Sequence, residues 1–418
     1  MKAVALSRKS IMAAAILGAL SQYAAAQATV DTTIYGFING QVESVEALGG
    51  ATPYERRGRI SDGNSRIGFA GNIGFQGHSQ TKAIWQIEGG LGGFEQGGVN
   101  DNGQTSTLTS RNTFVGIADE RFGRFMIGNN DSVYRSLIGS GSQMGGNLGM
   151  TVHGVDVWNN TSAQLSGNAD SIFSRGEARY KNSIHYLSPD FKGLQAGASY
   201  GFDETQGGRS NRARYSLAAK YSVGALQIGA GYDRQDNTGV DTDALEKGLG
   251  FGTDAQAGVA TSYAKLVASY AFASRTTLGL GYEAASFGYA MASNPTSSNF
   301  YTGLQTGSMK QHSVLATLAQ DIGDGSILLG YGKLGGLRGT TFASEGDFQA
   351  NQLSLGATYN LDRSFTPYVY LTRIHNQAQA NINLGQSPLR TNNTGSTNAF
   401  MAPGDSPRAI GFGMLARF

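Results

Sequence analysis

Apolar side chains return at every second position through most of this chain, and a period of two admits only extended strands with one apolar and one polar face. Over residues 30–42 the even positions carry Val30, Ile34, Ile38 and Val42, while Asp31, Asn39 and Gln41 stand among the odd ones. The pattern repeats in segments beginning near residues 66, 82, 179, 194, 214, 226, 266, 278, 314, 353 and 410. Two further segments, residues 111–118 and 122–129, alternate too weakly to be oriented. Counting both, the chain holds about sixteen strands, most of them near the ten-residue length of a tilted membrane strand. No run of 18 apolar residues occurs, which excludes helical membrane spans.

The links between strands carry a second signal. Short connections fall near residues 77–80, 119–121, 188–190, 223–225, 273–275, 321–325 and 361–364. Long polar segments lie near residues 44–63, 92–109, 130–177, 234–261, 288–308, 334–350 and 376–407, with an intermediate link at 204–211. Long and short links therefore alternate, which puts the long loops on one end of an up-and-down sheet. A soluble β-sandwich would alternate as well. Here, however, large Tyr, Leu, Phe and Ile residues dominate one face over the whole length, and glycine and small polar residues fill the other. Lipid accepts such a face without a covering sheet, and closure into a barrel leaves no unpaired edge in hydrocarbon. The expected fold is all-β, a transmembrane antiparallel up-and-down β-barrel.

Composition narrows the function. The 418 residues include 61 glycines, 7 prolines and no cysteine, with 15% charged and 40% hydrophobic residues. Zero cysteine excludes disulfide scaffolds and thiolate chemistry. The 10% aromatic content and low charge argue against disorder. Lys2, Arg8 and Lys9 precede an apolar stretch ending at Leu20 and a run of Ala24, Ala25 and Ala26, which reads as a cleaved secretory signal over residues 1–26. Cleavage leaves a single domain over residues 27–418 with 29 basic and 30 acidic residues, so the formal +2 becomes −1. That balance gives no footprint for nucleic acid. Gly197, Ser199 and Gly201 fit G-x-S-x-G, but mid-strand and without the required following helix. The five histidines show no metal-ligand spacing. Neither an enzyme, a metal site nor a cofactor is expected.

Several segments resemble the Gram-negative general diffusion porins. Residues 182–189 followed by 191–194, the late hairpin at 355–364, the start at 34–37 and Ser65 to Phe69 carry the likeness. Phe418, with Met414 and Phe412 before it at alternate positions, resembles the C-terminal signal by which such barrels engage their insertion machinery. The resemblance implies a sixteen-stranded barrel in the outer membrane of a Gram-negative bacterium, assembled as a homotrimer, that passes small hydrophilic solutes and ions. It also implies that the longest loop, about residues 130–177, folds inward to narrow each pore.

Selectivity in such a pore follows from its width and its rings of charge. Strand alternation offers seven basic and six acidic lumen candidates. The expected constriction sets Arg66, Lys82, Arg111, Arg179 and Lys181 against Asp131 and Asp156. A substrate-specific outer-membrane channel and a secreted soluble β-rich adhesin are the alternative readings.

Overall fold

The structure is a computed structural model that describes residues 30–51, 53–91, 111–139, 151–152, 155–156, 172–204, 211–240, 253–290, 306–340, 343–385, 389 and 401–418. The signal expected over residues 1–26 lies outside them.

Sixteen antiparallel strands close into a ring. They are β1 (Val30–Leu48), β2 in two segments (Tyr54–Asp62 and Arg66–Phe75), β3 (His78–Gly90), β4 (Thr113–Asp119), β5 (Gly123–Asp131), β6 (Arg179–Leu187), β7 (Leu194–Gly201) and β8 (Arg214–Val223). The circle continues with β9 (Leu226–Val240), β10 (Thr253–Ala271), β11 (Thr276–Ala290), β12 (Thr306–Ile322), β13 (Gly325–Leu334), β14 (Ala350–Tyr359), β15 (Phe365–Asn376) and β16 (Ser406–Arg417). Each strand pairs with its sequence neighbours, and β1 pairs with β16, for example Gly40 with Met414. Phe418 completes the seam by exchanging two backbone hydrogen bonds with Gly36, at 3.0 and 3.1 Å. Seven tight connections share one rim with the start of β1 and the end of β16, and the longer connections leave from the other.

The alternation expected from sequence sorts the faces. Ile34, Ile38, Val42, Leu217, Leu266, Leu280, Leu353, Leu371, Ile410 and Phe412 are exposed on the outside, whereas Asn39, Gln41, Glu43, Ser199, Ser216, Asp233, Glu283 and Ser313 are buried on the inside. The two unoriented segments also resolve, with Val115, Ile117, Phe125 and Ile127 pointing out. Their inner face carries Gly116, Ala118 and Met126, with Arg124 the one charge among them, which leaves the period faint.

Strands extend further than the sequence suggests. Residues 44–48 and 54–62, read as loop, are paired strand, and β9 to β12 likewise run into their flanking polar segments. Strand β1 has 19 residues, about twice the 9–11 that cross a bilayer. At its upper end the pattern changes sense: Val45 and Ala47 turn inward and are fully buried, while Ser44 and Glu46 take the outer positions, so the apolar-out period of two disappears.

Strand β2 is broken by one extra residue. Four steps from Asp62 to Arg66 oppose three from Gly40 to Phe37 on β1, a β-bulge around Gly63, Asn64 and Ser65. Asn64 adopts φ 69°, the Ser65 amide donates to Asp62, and the Asn39 side chain donates to the Gly63 carbonyl at 3.0 Å. Because the bulge reverses strand parity, Arg59 and Arg66 both reach the inner face although they are seven residues apart.

Glycines on the inner wall are seats for bulky groups. A Cβ on Gly413 or Gly411 would strike the cross-strand rings of Tyr368 and Tyr370, and one on Gly68 would strike Tyr35.

Candidate pore constriction

Arginines gather on the inner wall from β1 to β6. Arg59 on β2 bonds Glu43 on β1 at 2.7 Å, and Ser61 and Tyr370 also donate to that carboxylate. Glu88 on β3 accepts from Arg111 at 2.5 Å and from Tyr35 at 2.9 Å, with Arg66 3.9 Å away. Arg66 also lies over the Phe37 ring at 4.5 Å. The Arg111 side chain reaches the Asn64 side chain at 2.9 Å, so the bulge that turns Arg66 inward also holds Arg111. Asp131, at the end of β5, is bracketed by Arg179 at 2.9 Å and Arg135 at 3.1 Å. Asn112 joins this group by accepting from Arg179 at 2.6 Å and donating to Asp131.

Five guanidinium groups therefore face three carboxylates. Their side chains remain 12–26% exposed, against 4% and 6% for Glu43 and Glu88 and 20% for Asp131. Glu43 and Glu88 are thus withdrawn behind their arginines, while Asp131 is as exposed as the guanidinium groups that bracket it.

Of the residues expected from sequence, Arg66, Arg111, Arg179 and Asp131 are brought together. Lys82 is exposed and stands six residues below Glu88 on the same strand, roughly 20 Å away at strand rise. Lys181 is exposed beside a second bulge, where three steps on β6 oppose two on β5 and Asn182 adopts φ 48°. With Tyr180 and Ser183 buried on the inner side, Lys181 falls outside the cluster. Asp156 pairs through its backbone with Thr151 in a two-stranded ladder, and its side chain lies outside the described residues. Sequence reasoning did not select Arg59, which sat in a segment read as loop, or Arg135.

Both described ends of the 130–177 segment lie inside the barrel. Helix α1 (Val133–Ile138) starts at Ser132, whose hydroxyl accepts from the Arg135 amide at 3.2 Å. Its Val133, Tyr134, Leu137 and Ile138 are buried, a helical spacing that could have marked it in the sequence. The helix rests where the wall has no side chain: a Cβ on Gly197 would lie 2.8 Å from Val133, and one on Gly231 2.6 Å from Ile138. At the far end, Phe173 sits on Gly281 and Ile172 on Gly332 in the same way.

Buried ions fasten that far end. Arg175 donates to Glu283 at 2.6 Å, Gln311 at 3.0 Å and Ser313 at 3.3 Å. Lys265 bonds Glu177, Glu283 at 3.2 Å and the Phe173 carbonyl at 3.2 Å. Two cations and two carboxylates, all nearly inaccessible, balance one another, as a low-dielectric site requires. The Arg135 guanidinium donates to the Glu177 carbonyl at 2.7 Å, linking the two ends of the segment.

A closed sixteen-stranded barrel with an apolar exterior, a charged interior and a chain segment fixed against its inner wall defines a channel-forming membrane protein. The chain belongs to the Gram-negative porin family, whose model matches residues 13–379. It is 25% identical to an outer-membrane porin protein of Bordetella pertussis over 391 residues, covering 87% of this chain and 93% of that one. Its fold is similar to that of an anion-selective porin from Comamonas acidovorans, with a TM-score of 0.64 and 19% identity over 93% of this chain and all of that one. OmpT of Vibrio cholerae in its trimer form aligns with a TM-score of 0.58 and 15% identity, over 93% and 100% of the two chains. The protein is an outer-membrane porin, embedded in the outer membrane of a Gram-negative bacterium.

Proposed function

We propose that this porin passes small hydrophilic solutes and ions by passive diffusion and favours anions. The observation that carries this reading is the excess of partly exposed arginines over carboxylates on the β1 to β6 side of the lumen. Water-lined cations at a narrow point lower the barrier to anions and raise it for cations. The segment 130–177 supplies the narrowing, with α1 and Arg175 holding its ends to the opposite wall. The anion-selective title of the Comamonas relative supports the sign.

A homotrimer is part of the same proposal, supported by the trimer form of the Vibrio relative. So is export by the signal over residues 1–26, followed by insertion through machinery that reads Phe418, Met414 and Phe412. Those three side chains are exposed on the outer surface or rim, where another protein can reach them.

Bilayer recordings under a salt gradient test the selectivity. The wild type should give a reversal potential of anionic sign, and Arg66→Gln with Arg179→Gln should move it toward cations. Lys82→Gln, remote from the cluster, should move it far less. An unchanged potential in the double variant would remove these arginines from the filter. Current that saturates with one solute would instead indicate a substrate-specific channel.

A further inference from the structure

Two bulges interrupt the ladder on the arginine side of the barrel, and each contains an asparagine in the left-handed region, Asn64 at φ 69° and Asn182 at φ 48°. Asparagine tolerates that conformation better than most residues that carry a Cβ. Backbone geometry is a sufficient account of Asn182, whose side chain makes no hydrogen bond with a described residue. The Asn64 side chain, by contrast, holds an arginine of the constriction.

Other groups fasten the first bulge. Both carboxylate oxygens of Asp62 accept from the Ser65 amide at 3.1 Å, and one also accepts from the Ser65 hydroxyl. That hydroxyl accepts from the Asn39 amide at 2.9 Å, and the Ser65 carbonyl accepts from the Leu91 amide at 2.8 Å. Tyr368 donates to the Asn39 side chain at 2.7 Å from across the seam. Asn39, Asp62, Ser65 and Tyr368 are all buried. None of these bonds uses the Asn64 side chain, so the frame is set without it.

Arg111 is gripped at two atoms: Nη1 donates to Asn64 Oδ1 at 2.9 Å and Nε to Glu88 Oε1 at 2.5 Å. Glu88 Oε2 accepts from the Tyr35 hydroxyl at 2.9 Å, and Gln86 donates to that hydroxyl in turn. Both oxygens of Glu88 are therefore occupied. The Arg66 guanidinium, 3.9 Å from Oε1, makes no hydrogen bond with a described residue, and its Nε is buried without one. A charge-assisted hydrogen bond to Glu88 would neutralise that cation. We infer that Asn64 and Tyr35 are positioning residues of the constriction, which keep Glu88 engaged and so leave the charge of Arg66 to passing anions. The inference rests on the anion-favouring reading above. Arg111 lies at the long-loop end of β4, so once released its charge turns toward the mouth and leaves the level of Arg66.

The test is the anion-to-cation permeability ratio of the full-length protein in planar bilayers under a potassium chloride gradient, with heat-modifiable electrophoresis to show that each variant is folded. Tyr35→Phe leaves Glu88 Oε2 with only a 3.5 Å contact from Gln86 and does not disturb the backbone. It should lower the ratio about twofold or more, as loss of one hydrogen bond to a charged group implies. Asn64→Gly keeps the left-handed backbone and removes the acceptor, and it should lower the ratio likewise. Asn182→Gly makes the same backbone change away from any arginine contact and should leave the ratio at the wild-type value. In a Glu88→Gln background, with no carboxylate to compete for, Tyr35→Phe and Asn64→Gly should have no further effect. Wild-type ratios in both folded single variants overturn the proposal, as does an equal drop in Asn182→Gly or a drop that persists in the Glu88→Gln background. A cation-selective wild type would refute the anion reading alone; a further cationic shift in both single variants would still support the positioning.

Discussion

Individual side chains of this porin do work that their sequence neighbours conceal. Arg175 looks like one more loop charge, yet it is fully buried and its guanidinium bonds three residues on two strands. Arg175→Met would leave Glu177 and Glu283 sharing only Lys265, and breaking such a buried set costs about 3–5 kcal/mol. A lowered thermal unfolding temperature together with noisier single-channel current should follow; a variant as quiet and as stable as wild type would show that the clamp is dispensable. The inner-wall arginines were half legible. Arg66 and Arg179 show themselves by type and alternation, whereas Arg59 lies in a polar stretch that reads as loop and Lys181 is turned out of the cluster by the bulge at Asn182. A one-residue insertion in a ladder leaves no mark on composition. It is betrayed only by an asparagine held at positive φ.

Among the elements, helix α1 is the one that a strand-based reading passes over. It has six residues, too few to persist alone, so its stability comes from the wall it covers. Gly231→Val would place a side chain where Ile138 lies, and the overpacking should cost about 1–3 kcal/mol. The expected result is a displaced segment and a change in conductance with little loss of folded barrel, read by bilayer recording beside heat-modifiable electrophoresis. The strands themselves were legible wherever one face meets lipid and the other water. Above the membrane that contrast ends, and Glu46, Arg56 and Arg408 pair with one another on the outside of β1, β2 and β16. Residues 54–62 are polar on both faces and look like loop, and at 44–48 the apolar Val45 and Ala47 turn inward, against the apolar-out pattern below, which is why neither stretch reads as strand.

At the scale of the whole molecule, number of strands, closure and the side carrying long loops followed from spacing, because each is repeated many times along the chain. The expectation that residues 130–177 fold inward came instead from likeness to a family, since one loop offers no repetition to read, and of that segment the described ends lie against the inner wall. Closure makes its own prediction. Deleting Phe418 removes two backbone hydrogen bonds to Gly36 and the ring that covers it. An unsatisfied backbone group in hydrocarbon costs several kcal/mol. The deletion should lower the folded fraction recovered in outer membranes, and replacement by Tyr should restore more of it than replacement by Ser.

The bonds between Gly36 and Phe418 join residues separated by almost the entire chain. No stretch of the polypeptide that lacks β16 can complete the ring, because β16 is the partner of β1. An interrupted chain is left with two open edges at the seam and remains recognisably unfinished to any protease in its path. The barrel thereby inspects its own closure: a cylinder without edges exists only once β16 and Phe418 have met β1.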